Sequence, residues 1–229
     1  MYNIKLADLV IQIKSDNDKL REFFKDYIVD EECDFVVEIN DEDINKEKSF
    51  SIEKTSEFEY LKLATYRKIC EQLPNYDAFL FHGSALYFDD KATLLAGHSG
   101  AGKSTHARLL REYYDAKMIN DDKPLIRLIN NIPYVYGTPY NGKHHLSQNI
   151  SKPLKNIVFI IQDKENSISS INDNDAFNKL FFQTYRPYNK DALAKTIVLL
   201  DKLNKATNKY DLRCDISFEA ANKSYEIIK

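Results

Sequence analysis

The sequence predicts an α/β protein, with a three-layer P-loop domain built on a mixed sheet and a small N-terminal α+β lobe before it. Strand-like and helix-like segments follow one another along the chain, and a glycine-rich loop at 97–104 joins an apolar strand to a helix. The strand before this loop's strand is connected to it only through Asp89 and Asp90. Because a parallel return needs a dozen or more residues, this short connection predicts an antiparallel pair and therefore a mixed sheet.

Composition limits the number of domains and the classes of partner. Of the 229 residues, 43% are hydrophobic, which is enough for one substantial core and a small appended lobe. We therefore expect a lobe with its linking helix at 1–74 and a P-loop domain at 75–229. The formal charge of −3 gives no global reason to expect a nucleic-acid or membrane partner, since such partners usually select a basic surplus.

The cysteines and the N-terminus indicate the compartment. Cys33, Cys70 and Cys214 are far apart, odd in number and not at metal-ligand spacing, as is typical of reduced thiols in a cytoplasmic protein. The stretch 1–14 alternates polar and apolar residues and has the pattern of neither a signal peptide nor a membrane span. The sequence therefore predicts a soluble protein of the cytoplasm.

Periodicity predicts the individual elements. In the lobe we expect strands at 9–13 and 34–39, helices at 16–27 and 55–73, and a solvated loop over the charged stretch 41–48. Pro74 ends the second of these helices. In the domain we expect strands at 78–88, 92–96, 118–119, 125–129, 132–136 and 157–161, and helices at 103–114, 176–182 and 191–205.

A phosphate site is predicted where the glycine-rich loop meets the helix. The run Gly97-His98-Ser99-Gly100-Ala101-Gly102-Lys103-Ser104 satisfies G-x-x-x-x-G-K-[ST] in the required context of strand and helix. Glycines allow successive backbone N–H groups to converge on phosphate oxygens, the helix N-terminus adds partial positive charge, and the lysine adds a full one. A glycine turn without a ligand is the alternative. The residues expected to bind ATP are Gly97, His98, Ser99, Gly100, Ala101, Gly102, Lys103, Ser104 and Thr105, with Ser104 also holding Mg²⁺.

Two adjacent carboxylates follow the next strand of the domain. The run Asn120-Asp121-Asp122 comes directly after the apolar pair at 118–119, at the carboxyl end of a strand, where α/β sheets bind ligands. Neighbouring residues on a strand point to opposite faces, so one acid can reach a metal while the other reaches an acceptor hydroxyl. An Asp-Asp turn between strands is the alternative, because Asp is a common turn residue.

These features together resemble the kinase domain of the HPr kinase/phosphorylase family and, more distantly, the nucleotide-binding core of ATP-dependent phosphoenolpyruvate carboxykinase. The resemblance covers about 79–122 and rests on His82-Gly83 in the first hairpin strand, the second hairpin strand, the loop G-x-S-G-x-G-K-S, and the paired aspartates. It implies that Asp121 acts as base toward a serine hydroxyl and that Asp122 lies near Mg²⁺. It also implies that His82 contacts the catalytic acid. A buried core histidine is the alternative for His82.

Other polar residues are weaker candidates. Arg186 lies between two predicted helices and could reach a transferring phosphoryl group, or it could be a surface arginine. The stretch 137–143 is either an ordinary turn or a loop over the site with Lys143 near a phosphate. His144 and His145 are neighbours on an extended chain, so their side chains should diverge rather than form a metal pair.

The predicted function is that of a Mg²⁺- and ATP-dependent phosphotransferase with Lys103 and Asp121 at its centre. Its acceptor would carry a hydroxyl, as a serine of a peptide or protein or as a small molecule, and the resemblance makes a homo-oligomer an expected assembly. The alternatives are a regulatory nucleotide-binding protein without transfer and a simple ATPase. The paired aspartates favour the enzyme, because a binding module needs at most one acid for its metal.

Overall fold

The computed structural model describes residues 1–51 and 54–229. Its N-terminal lobe is built on a small sheet. Its strands are β1 (Tyr2–Leu6), β2 (Leu9–Lys14), β3 (Ile28–Val29) and β4 (Phe35–Glu38), in the order β3-β1-β2-β4. Ala7 and Asp8 join the first two strands with positive φ at both positions, the backbone that a tight two-residue hairpin requires. The strand at 9–13 is confirmed, and β1 is an additional strand paired antiparallel to it.

The helices of the lobe differ in part from the expectation. They are α1 (Asp18–Phe23), followed by a 3₁₀ turn at Lys25–Tyr27, α2 (Asp41–Phe50) and α3 (Glu57–Gln72). The helix expected at 55–73 is confirmed, and the one expected at 16–27 is divided near Phe24, whose backbone leaves the helical region.

The solvated loop expected at 41–48 is wrong, because this stretch is the helix α2. Asn40 and Asp43 form a reciprocal capping box, in which each side chain accepts a hydrogen bond from the other residue's backbone N–H. Glu47 is buried and paired with Arg67 of α3, so a charged residue contributes to packing against the next helix. The low apolar content of the stretch did not reveal this long-range partner.

The second sheet forms the centre of the domain that contains the glycine-rich loop. Its strands are β5 (Ala78–Leu80), β6 (Ser84–Phe88), β7 (Lys91–Ala96), β8 (Lys117–Asn120), β9 (Leu125–Ile129), β10 (Ile132–Tyr136), β11 (Ser151–Gln162), β12 (Ser167–Ser170) and β13 (Asn208–Cys214). The main order is β5-β9-β10-β11-β7-β6-β8, with β13 paired to β11 and β12 to β13. Strands β6 and β7 are antiparallel while β7 and β11 are parallel, which confirms the mixed sheet predicted from the short connection.

Helices cover both faces of this sheet. They are α4 (Lys103–Tyr114), α5 (Asp173–Gln183), α6 (Lys190–Ala206) and α7 (Phe218–Ile228). On the P-loop strand, Leu94 belongs to the core packed by α5 and α6, whereas Leu95 belongs to the core packed by α4 and α7. The opposite directions of neighbouring side chains on a strand thus produce a helix–sheet–helix arrangement.

Two expectations for the domain need correction or extension. The single strand expected at 78–88 is two strands, since β5 pairs with β9 while β6 pairs with β7. His82 therefore lies in the connection between them rather than in a hairpin strand. The elements β12, β13 and α7 were not predicted, although β13 and α7 help to enclose the core beside the P-loop strand.

The lobe and the domain share a hydrophobic core. Residues of the lobe and of α3 pack with Leu125, Tyr136 and Tyr140 of the domain, and the rings of Tyr66 and Tyr140 stack with centroids 3.7 Å apart. The cysteines are free thiols, and none of the described helices is long and apolar enough to cross a membrane.

Candidate active site

The loop between β7 and α4 has the backbone of an anion cradle. Gly97, Gly100 and Gly102 have φ of 143°, 81° and 100°, in the region that L side chains rarely adopt. A Cβ at Gly97 would also lie 3.0 Å from the Ile160 carbonyl oxygen, so the loop is pressed against β11. Gly102 offers no side-chain cap to α4, which leaves the first N–H groups of the helix open to an anionic ligand.

Lys103 is folded back over this loop. Its Nζ donates to the carbonyl oxygens of Gly97 at 2.8 Å and His98 at 3.1 Å. In the part of the chain that the structure describes, no carboxylate lies within ion-pair distance of it. Burial lowers the pKa of Lys103, while the negative charge of Asp122 opposes that shift. A half-buried cation without an acidic partner is suited to binding an anion.

Two glutamines that sequence reasoning missed fix the loop from both sides. The Gln162 amide donates to the Gly100 carbonyl oxygen at 2.9 Å. The Gln183 amide, oriented with its nitrogen toward the loop, donates to the carbonyl oxygens of His82 and Gly97, each at 3.1 Å. Gln162 ends β11 and Gln183 ends α5, so each lies next to an element that was expected from the sequence. Neither residue belongs to a sequence pattern that indicates a contact with the loop.

Asn120 shapes the turn that presents the two aspartates. Its Oδ1 accepts from the backbone N–H groups of Asp122 at 2.9 Å and Lys123 at 2.7 Å, and its Nδ2 donates to the Thr138 carbonyl oxygen at 3.1 Å. Asn120 is fully buried at the end of β8. The turn is therefore fixed by one side chain between β8 and the stretch 137–143.

Asp121 points its carboxylate toward that stretch. Oδ1 accepts from the Gly142 N–H at 2.8 Å, whereas Oδ2 is buried and has no hydrogen-bond partner among the described residues. The residue is 8% exposed. The structure therefore holds one oxygen of Asp121 in place and leaves the other free for a donor.

Asp122 has a different environment. Its Oδ1 lies 3.2 Å from Nε2 of His82, and its Oδ2 lies 3.7 Å from Nζ of Lys123. Burial raises the pKa of Asp122, but the hydrogen bond from His82 and the charge of Lys123 outweigh it, so the net shift is downward. The resemblance implied a contact between His82 and the catalytic acid, without fixing which aspartate of the pair that is. In the structure the aspartate that His82 contacts is Asp122.

A pocket of about 360 Å³ joins Asp121 to the start of α4. Ser84, Ser104 and Thr105 line it beside Asp121, and His144 lines it from the stretch after 143. His145 lines a pocket between the lobe and the domain and also the groove beside Arg111 and Leu146. The structure thus brings together the P-loop, the aspartate pair and His82.

Three further candidates lie outside these contacts. Arg186 is exposed, and its guanidinium lies over the Phe181 ring and donates to the Phe181 carbonyl oxygen at 3.3 Å. Lys143 is exposed, although Gly142 beside it touches Asp121. The ring of His98 contacts the Ser99 carbonyl oxygen at 2.7 Å, so only its backbone belongs to the cradle.

Comparison with known proteins adds a distant structural neighbour. No protein-family model matches the chain, and no curated protein matches it. Among solved structures, an HPr(Ser) kinase/phosphatase from Coxiella burnetii is similar over 64% of this chain and 94% of its own, at 10% identity and a TM-score of 0.37. A similarity of this degree indicates a distant relationship in fold and carries no argument about substrate or reaction.

Proposed function

We propose that this protein is a Mg²⁺- and ATP-dependent phosphotransferase that acts on a hydroxyl group. The observation that carries the proposal is the conjunction of an anion cradle at 97–104 with two buried or half-buried aspartates in different environments. A cradle alone supports nucleotide binding. The second, differently held carboxylate supports transfer.

In this proposal the loop and Lys103 bind the triphosphate. Gly100 has open space around the position of a Cβ, so its backbone is accessible to a phosphate, and the N–H groups at the start of α4 face the same way as the helix dipole. Lys103 would exchange its bonds to two carbonyl oxygens for bonds to phosphate oxygens. An exchange of neutral for anionic acceptors strengthens each hydrogen bond of the ammonium group.

Asp121 is the proposed general base. Its Oδ1 is held by Gly142, and its Oδ2 is free to accept the proton of an attacking hydroxyl. Gly142 also covers Oδ2, since a Cβ on this glycine would lie 3.1 Å from it. The stretch that contains Gly142 must therefore shift slightly when the acceptor enters.

The oxygen donors near the cradle fit a hard divalent cation such as Mg²⁺. Ser104 is exposed at the start of α4, and the lowered pKa of Asp122 keeps its carboxylate ionised at neutral pH. These two residues would hold Mg²⁺, which neutralises charge on the phosphates when bound. His82 and Lys123 would keep the Asp122 side chain in position.

The test is transfer of label from γ-labelled ATP to a fractionated lysate of the host, with and without a chelator. We expect Mg²⁺-dependent label in an acceptor that carries a hydroxyl. ATP turnover that is independent of any acceptor would indicate a simple ATPase, and ATP binding without turnover would indicate a regulatory protein. Either result would refute the proposal.

A further inference from the structure

We infer that the phosphate acceptor is an extended chain with an acidic group, whose hydroxyl enters the pocket at Asp121 and whose carboxylate is bound by Arg111. This inference rests on the proposed phosphotransfer and specifies the substrate class of the same site. It is carried by the shape of the pocket, by its charges and by the spacing of its lining residues along α4.

The pocket at Asp121 continues into a second groove. The second groove has a volume of about 280 Å³ and shares Arg111, Met118 and Leu146 with the first. Together they run from the start of α4 to its last turn, between that helix and the stretch 144–148. A small molecule would fill the first part only, whereas an extended chain would occupy both.

Arg111 is the arginine of this groove whose side chain has no acidic partner among the described residues. Arg108 also lines the first pocket, but Glu112 accepts two hydrogen bonds from it, at 2.9 and 2.8 Å. Lys117 in the second groove is paired with Asp115. Arg111 is exposed, and its side chain has no hydrogen bond or ion pair within residues 1–51 and 54–229. A guanidinium in this position can bind a carboxylate through two parallel hydrogen bonds.

The spacing on α4 gives the length of the groove from Ser104, which lines the same pocket as Asp121, to Arg111. Ser104, Arg108 and Arg111 line one face of the helix, and a rise of 1.5 Å per residue separates the first and last Cα atoms by about 10 Å. The arginine side chain leans toward the helix N-terminus, which shortens this span. An extended chain advances about 3.3 Å per residue, so the acid should lie roughly two or three residues from the phosphorylated one.

A purely structural role for Arg111 makes a different prediction. A basic residue in the last turn of a helix interacts favourably with the helix dipole. That role would make Arg111→Glu less stable, but it would give no preference for one peptide charge over another. Specificity for charge therefore separates the two roles.

The experiment measures fluorescence anisotropy of labelled serine peptides on protein loaded with Mg²⁺ and a non-hydrolysable ATP analogue. Each peptide carries Glu, Gln or Lys at one offset from serine, in an otherwise neutral background. For the wild type we expect Glu two or three residues from serine to bind about tenfold more tightly than Gln, or ~1.4 kcal/mol. Arg111→Glu should reverse the preference toward Lys.

Arg21→Glu is the matched control, because Arg21 is an exposed helical arginine in the lobe, outside both grooves. The preference of the Arg21→Glu variant for Glu peptides over Gln peptides should equal that of the wild type. A preference for Glu that survives Arg111→Glu, or no preference at any offset, would overturn the inference. Binding of D-glycerate without binding of any peptide would also overturn it, in favour of a small hydroxy acid.

Failure here is distinguishable from failure of the proposed function. The peptide measurement needs no transfer, so a charge preference that depends on Arg111, found without any transfer of label, would support a peptide site in this groove and reject the proposed phosphotransfer alone. Label on a neutral acceptor, with a peptide preference absent, would support the transferase and reject this substrate class.

Discussion

Asp121→Asn should separate chemistry from nucleotide binding. The asparagine Oδ1 can keep the bond from the Gly142 N–H, which is 2.8 Å in the wild type, so the turn should persist. The substitution replaces the unpartnered Oδ2 with an NH₂ group, which cannot accept the proton of a hydroxyl. A positioned general base contributes roughly 10²–10⁴-fold, so transfer should fall by that factor, or about 3–5 kcal/mol in activation free energy.

The assay compares single-turnover transfer to the acceptor identified by labelling with ATP affinity measured by calorimetry. We expect slower transfer at nearly unchanged affinity for Asp121→Asn. Asp122→Asn is the matched comparison, because it loses the charge that His82 and Lys123 contact and should weaken the dependence on Mg²⁺. If Asp122→Asn alone slows transfer at unchanged affinity, the two roles are exchanged. If neither variant slows transfer, the pair has no catalytic role.

Three other perturbations test separate parts of the structure. Lys103→Ala should weaken ATP binding in calorimetry by tenfold or more, because it removes the full positive charge over the cradle; unchanged affinity would contradict the phosphate assignment. Gly142→Ala should slow transfer roughly tenfold while ATP affinity is kept, because the new Cβ would lie 3.1 Å from Oδ2 of Asp121 and displace it. For His106, burial lowers the pKa to about 4. The unfolded chain therefore binds more protons than the folded protein between pH ~6.5 and ~4. The free energy of unfolding measured in urea should fall by up to about 3 kcal/mol as the pH is lowered through that window, and His106→Gln should reduce this fall.

The backbone of the glycine-rich loop could be predicted because the residues that determine it are local. Glycines with positive φ, a lysine and a helix start lie within eight residues, and the backbone conformation that each one permits is the one observed. The antiparallel pair β6–β7 was predictable for a similar reason, since the length of a connection restricts the direction of the next strand. Local sequence was sufficient in both cases.

The contacts that join distant segments could not be predicted in this way. Glu47 is buried because Arg67 binds it, twenty positions away, and no pattern near Glu47 indicates that partner. Gln162 and Gln183 reach the cradle from opposite sides only after the sheet and α5 have formed. His82 contacts Asp122 because the chain leaves β5 and crosses to β6 at that point. Each of these depends on tertiary structure.

The environment of Asp121 argues against the alternative that the aspartate pair is an ordinary turn. A turn aspartate commonly bonds to its own backbone and faces water, but Asp121 is 8% exposed and bonds to Gly142, in a different segment. A buried oxygen without a partner costs about 1–3 kcal/mol, or more when it carries charge. Asn120 already fixes the turn through its own side chain, so the turn does not require this cost. A buried carboxylate oxygen without a hydrogen-bond partner among the described residues, at the end of the groove, therefore supports the proposal that Asp121 is the general base.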